Sequence, residues 1–172
     1  YNQWDPETDG YITANYSQKD LSGKKECRKN LASLFGFTDL KRPAVAMVCR
    51  LLPRKGLDLL VKAFDRMMEM PVNVAVMGLG ENHFQDFLQE ASMKWPGRMG
   101  YKRANDTTLM HHILAGADIF TMPSRFEPCG LEQLYALRYG AVPEVRDTGP
   151  PPETRAYSRS SPQTSLTLLS DP

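Results

Sequence analysis

Short unbroken apolar runs alternate along this chain with longer stretches whose apolar residues recur every three or four positions, and that alternation restricts the fold more than any other feature. Ala44 to Cys49 is continuously apolar, as a strand buried on both faces of a parallel sheet should be. It is followed by Leu57, Leu60, Val61, Phe64, Met67 and Met68, the spacing of one helix face. Val72 to Met77 predicts the next strand, and Phe84, Phe87, Leu88 and Ala91 the next helix. Arg98 to Tyr101 reads as a short strand, Leu109, Met110, Ile113 and Leu114 as a helix, and Asp118 to Met122 as a strand. A helix from Leu131 to Tyr139 and a strand from Ala141 to Arg146 complete the series, with one further helical stretch from about Ser22 to Phe35 ahead of it. Repeated strand–helix–strand units imply right-handed crossovers, so the expected class is α/β, a Rossmann-like doubly wound parallel sheet. Ligands of such sheets bind beyond the C-terminal strand ends, where Arg50, Gly78, Tyr101, Ser124 and Arg146 fall.

Composition narrows the function classes more than the fold. The 172 residues carry 41% hydrophobic and 24% charged side chains, which allows one domain with a sizeable core. A net charge of +1 argues against a nucleic-acid footprint. No apolar stretch approaches the roughly 20 residues of a membrane span, and the N-terminus lacks a basic segment followed by an apolar one. Cys27, Cys49 and Cys129 are odd in number and far apart, with no C-x-x-C pair, which speaks against a disulfide framework or metal cluster and for a reducing, cytoplasmic setting.

The chemistry concentrates in two strand-to-helix turns. In Pro123-Ser124-Arg125-Phe126-Glu127-Pro128-Cys129-Gly130-Leu131 the chain passes from strand to helix, a geometry that aims backbone N–H groups and the positive helix end at one point and so suits a phosphate. A glutamate inside an anion-binding turn is electrostatically odd. Glu127 fits better beside a neutral polyhydroxyl group attached to the phosphate, such as a sugar, or it is simply a helix N-terminal charge. In the other turn, Arg50 and Lys55 either form a solvated basic surface or hold a pyrophosphate and stabilise the charge on a departing nucleoside diphosphate.

The remaining candidates are less specific. Gly130 permits close backbone approach, and Cys129 reads as packing or a backbone donor rather than a nucleophile. Gly78-Leu79-Gly80-Glu81 follows a strand but has His83 where a dinucleotide fingerprint has its third glycine, so an ordinary turn is as good a reading as a ligand loop. His111 and His112 diverge by about 100° on a helix and cannot form a paired metal face; helix packing and surface are their expected roles.

The Pro123–Leu131 run resembles the donor-site motif of bacterial glycogen synthases and plant starch synthases. Arg50-Leu51-Leu52-Pro53-Arg54-Lys55-Gly56-Leu57-Asp58 is similar to that family's strand-end arginine and lysine-glycine helix start. Trp4-Asp5-Pro6-Glu7-Thr8-Asp9, Asn15-Tyr16-Ser17 and Gln133-Leu134-Tyr135-Ala136-Leu137-Arg138-Tyr139-Gly140 resemble further family blocks in the same order, and the resemblance covers roughly residues 1 to 149. It implies the C-terminal half of a two-domain GT-B glycosyltransferase that moves glucose from ADP-glucose to the non-reducing end of an α-1,4-glucan, with retention at the anomeric carbon.

On that resemblance Arg50 and Lys55 become donor-phosphate residues and Glu127 the residue facing the transferred glucose. The amides of Cys129, Gly130 and Leu131 face the diphosphate, Gly78 and Gly80 lie against the nucleoside, and the Tyr101 ring packs on the adenine. The implied ligands are a nucleotide sugar and, through an N-terminal domain, a glucan acceptor; no cofactor, metal, nucleic acid or membrane is implied. The implied compartment is the cytoplasm, or a plastid in a plant.

Two boundaries are expected from the sequence. Residues 1–149 form a partial nucleotide-sugar-binding domain that starts where the family's C-terminal domain starts, so the acceptor domain is absent and the chain alone should be inactive. Residues 150–172 hold five prolines and five serines and no apolar period, where the family continues with a glycine, a leucine and a helix; they read as a disordered, non-family tail. Alternatives are a sucrose- or trehalose-type glycosyltransferase of the same fold and a non-catalytic nucleotide-binding remnant.

Overall fold

The computed structural model of the chain describes residues 3–127 and 129–146. The expectation of a disordered tail over 150–172 lies outside the described residues. Among the described residues five strands and five helices alternate: α1 (Ser22–Phe35), β1 (Ala44–Val48), α2 (Leu57–Glu69), β2 (Asn73–Met77), α3 (Asn82–Lys94), β3 (Met99–Lys102), α4 (Thr107–Gly116), β4 (Ile119–Met122), α5 (Leu131–Arg138) and β5 (Val142–Val145). Every element expected from periodicity is present, with ends within a residue or two. Only the 3-10 turn Pro53–Lys55 ahead of α2 was not anticipated.

The strands form one parallel sheet in the order β3-β2-β1-β4-β5. The chain steps outward from β1 to β2 to β3, returns to the other side of β1 as β4, and steps outward again to β5. Direction therefore reverses between β1 and β4, and there the helix-bearing connections leave the sheet edge in opposite senses and open a crevice.

Alternation along the strands sorts the core into two layers. Ala44 and Ala46 of β1 and Ala75 and Met77 of β2 face α1 and α4, joining Cys27, Leu31, Phe35, Ile113, Leu114 and Phe120. Val45 and Met47 of β1 and Val74 and Val76 of β2 face the other way, against Leu57, Leu60, Phe64 and Met68 of α2 and Phe84 and Leu88 of α3. Both faces of the central strands are thus covered, which is why they read as continuous apolar runs. No helix among the described residues is long and apolar enough to cross a membrane.

The segment before α1 packs against α4 and the C-terminal end of α5. The Asp9 carboxylate, with no exposed surface, binds His111 Nδ1 at 2.7 Å, accepts from the Tyr139 hydroxyl, and accepts the Tyr11 amide at 2.8 Å. The Trp4 ring stacks on His111 at 3.9 Å and on Tyr135 at 4.5 Å. The Tyr139 carbonyl accepts from the Tyr16 hydroxyl at 2.9 Å and from the Lys24 ammonium at 2.8 Å. Lys24 also donates to the carbonyls of Ala115 and Ala117, so one cation closes the C-terminal ends of two helices. His111 is therefore a buried hydrogen-bonded group, while His112 is half-buried and 3.1 Å from Asn30.

Burial pushes the Tyr16 and Tyr139 hydroxyls well above their ordinary value of 10.0. The folded chain keeps these protons where the unfolded chain loses them, so their stabilisation is complete below pH 10 and is lost as pH rises further. Lys24, pulled down by burial from 10.5 to about 8, acts in the opposite sense between those values. The urea midpoint should therefore fall above about pH 10, and the combined substitutions Tyr16→Phe and Tyr139→Phe should flatten that part of the fall. An alkaline slope identical in the double variant and the wild type would contradict this account.

Candidate functional site

The turns leaving β1 and β4 meet at the crevice because those strands are neighbours, paired Val45 to Ile119 and Ala46 to Phe120. Backbone contacts stitch the turns together. The Arg54 carbonyl accepts the Arg125 amide at 2.8 Å and the Phe126 amide at 3.4 Å. Gly56, at φ +76, sits so close to the other turn that a Cβ would lie 2.0 Å from the Pro123 carbonyl oxygen. Only glycine tolerates both the left-handed backbone and that approach. An exposed ion pair between Arg125 and Asp58 clips the outer edge, and the guanidinium holds the Asp58 carboxyl below its usual range.

Between the turns lies a cavity of about 330 Å³ whose lining includes Cys49, Arg50, Lys55, Ser124, Glu127 and Glu132. Lys55 Nζ forms an ion pair with Glu127 Oε2, with the two side chains 19% and 18% exposed. The Ser124 hydroxyl donates to the same carboxylate oxygen at 3.2 Å. The structure thus brings three sequence candidates, Arg50, Lys55 and Glu127, to one cavity. A carboxylate and an ammonium in such partial burial can accept from hydroxyl groups and donate to phosphate oxygens, respectively.

The α5 start completes one wall. Gly130, buried at φ +57, caps the helix, and no side chain caps its first amides among the described residues. Leu131 and Cys129 are exposed, so Cys129 offers no buried thiol. Burial pushes the Cys49 thiol up to about 12, which leaves it protonated and poorly nucleophilic at neutral pH. Cys49, Phe126 and Glu132 also line the cavity and were not singled out from sequence; the available signals were the position of Cys49 before the strand-end arginine and of Glu132 one residue into the helix.

Gly78, Gly80 and Tyr101 gather elsewhere, on the β2–β3 side. A Cβ on Gly78 would lie 2.2 Å from the Cys49 carbonyl oxygen and one on Gly80 2.1 Å from that of Leu51. β1 and β2 continue to pair past their ends through a Leu51–Gly80 bridge, with the Leu51 amide donating to Leu79 at 2.9 Å. Close strand contact alone accounts for both glycines. The Tyr101 hydroxyl donates to the Gly78 carbonyl at 3.0 Å, which fixes its ring beside that loop.

Residues 36–156 match the family model described as glycosyl transferases group 1. The chain belongs to this family of glycosyltransferases. It is 43% identical over 150 residues to glycogen synthase 1 of Geobacter sulfurreducens, covering 87% of this chain and 30% of that protein. The glycogen synthase of Myxococcus xanthus is 43% identical over 148 residues, 86% of this chain and 31% of that protein. The chain thus spans about 30% of the length of these relatives. Among solved structures, the catalytic domain of Arabidopsis thaliana starch synthase IV, bound to ADP and acarbose, superposes with a TM-score of 0.82 at 30% identity, over 98% of this chain and 34% of that one. The lipopolysaccharide glycosyltransferase WaaG, at 15% identity and a TM-score of 0.59, shares the fold. The architecture of this glycosyltransferase chain is that of the C-terminal half of a GT-B enzyme, as the sequence led us to expect.

Gly56→Ala should destabilise the chain by more than Gly36→Ala in chemical denaturation. Gly36 has a similar φ of +75 but nothing within 4 Å, so it carries only the backbone cost, about 1 kcal/mol, whereas Gly56 adds the collision with Pro123. Equal losses would show that the two turns are not in contact.

Proposed function

We propose that this chain is the donor-binding part of a retaining glucosyltransferase that moves glucose from ADP-glucose to the non-reducing end of an α-1,4-glucan. The observation that carries the reading is the Lys55–Glu127 pair at the crevice between β1 and β4, beside the uncapped start of α5. The similarity to glycogen synthases and to a starch synthase bound to ADP supports the donor class.

In this reading Arg50, Lys55 and the amides of Cys129, Gly130 and Leu131 hold the diphosphate, with Gly78 and Gly80 beside the nucleoside and the Tyr101 ring against adenine. Before the donor arrives, Lys55 and Glu127 neutralise each other. On binding, Lys55 turns to a phosphate oxygen and Glu127 to the glucose hydroxyls. As the bond between the anomeric carbon and the diphosphate oxygen breaks, its electron pair goes to the diphosphate, which the cations stabilise. Glu127 faces the positive charge left on the sugar. The glucan 4-hydroxyl attacks from the side the diphosphate leaves and gives its proton to the departing diphosphate oxygen. No residue in this scheme calls for a cofactor or metal.

The acceptor would be held by another part of the full-length protein, in the cytoplasm or, in a plant cell, a plastid. Holding acceptor and donor together can supply roughly 7–11 kcal/mol of the barrier, so the 172 residues alone should bind donor but transfer no measurable glucose. Labelled glucose incorporated from ADP-glucose into glycogen by this chain alone would refute that expectation.

Glu127 and Lys55 separate in binding and turnover. Glu127→Gln releases Lys55 from its partner, so ADP affinity should hold or rise, whereas Lys55→Ala should weaken it about tenfold. In a chimera with the N-terminal region of a glycogen synthase relative, Glu127→Gln should lower kcat by more than about tenfold, or 1.4 kcal/mol, with little change in KM. Near-normal kcat in a folded Glu127→Gln chimera would reduce this carboxylate to a helix-end charge.

A further inference from the structure

The roles above leave one acidic group of the cavity without a task. Glu132 lines the same cavity as Arg50, Lys55 and Glu127, stands in the first turn of α5, and is half-buried. No cation forms an ion pair with it among the described residues. A carboxylate there occupies the end of a helix whose uncapped amides otherwise invite an anion.

We infer that Glu132 is a specificity residue that weakens binding of the nucleoside diphosphate product more than binding of the nucleotide sugar, and so favours product release. The inference rests on the proposed function, because it places the diphosphate at the α5 start. Lys55 and Glu127 cancel in the empty cavity, so Glu132 opposes the attraction that Arg50 and Arg54 exert on phosphate. When the sugar leaves, the terminal phosphate ionises a second time and carries about one more negative charge at pH 7. Repulsion scales with the product of the charges, so Glu132 disfavours the product more than the donor. A carboxylate serving only as a helix-end charge would leave ligand binding unchanged.

The test is equilibrium binding of ADP and of ADP-glucose to the 172-residue chain and to its Glu132→Gln and Glu132→Asp variants, at low and high salt. Glu132→Gln should bind ADP about threefold tighter or more and ADP-glucose tighter by a smaller factor, with the difference shrinking as salt screens it. Glu132→Asp, which keeps the charge, should stay near wild type, and circular dichroism should be the same for all three. Unchanged affinities in Glu132→Gln, or equal tightening of both ligands, would overturn this inference and leave the proposed function standing. Failure of the wild-type chain to bind either ligand would remove the proposed function, and this inference with it.

Discussion

Everything at the crevice depends on the contact between Gly56 and the Pro123 carbonyl. It brings the turn after β1 against the turn after β4, and Lys55, the residue before Gly56, is carried to Glu127 with it. The pairing of β1 with β4 brings the two strand ends side by side but does not hold the irregular backbone beyond them. That is done at close range by a missing Cβ and by the Arg54 carbonyl, which accepts two amides from the opposite turn. The 3-10 turn Pro53–Lys55 belongs to the same device, because it tightens the path from β1 so that α2 starts at the contact.

The other end of α5 is fixed from behind. Tyr139 follows the helix and is held by Asp9 through its hydroxyl and by Tyr16 and Lys24 through its carbonyl. Trp4 stacks on Tyr135, and Arg138 forms an ion pair with Asp5. A helix of eight residues has little stability of its own, so its direction comes from these tertiary contacts. The arm before α1 is thus part of the scaffold for the cavity, although none of its residues lines it.

Local structure was legible because it is written in periods. The continuous apolar runs of β1 and β2 and the recurring spacing of α2 follow from burial on both faces of a sheet and on one face of a helix, and neighbouring residues suffice to reveal both. The position of Arg50, Lys55 and Glu127 in the two turns beyond β1 and β4 was legible for the same reason, because the strands and helices that bound those turns are periodic. What escaped was the partnership of groups far apart in sequence. Lys55 and Glu127 are 72 residues apart, and Asp9 and His111 102 apart. Neither separation leaves a periodic trace. Gly78 and Gly80 were ambiguous because a backbone that approaches a ligand and one that approaches another strand ask for the same absent side chain.

The two ion pairs joining the crevice turns differ in what they can do. Arg125 and Asp58 are exposed at 45% and 33%, where water screens the attraction and the pair contributes at most about 1 kcal/mol. Lys55 and Glu127 are each less than a fifth exposed, so both have given up much of their hydration, a loss that mutual attraction only partly offsets. An apolar pair of similar size would suit stability as well. Under the proposed function, a ligand would restore that lost hydration, with phosphate for Lys55 and hydroxyls for Glu127. The same turn therefore contains an exposed clip and a part-buried pair that the proposed donor would separate.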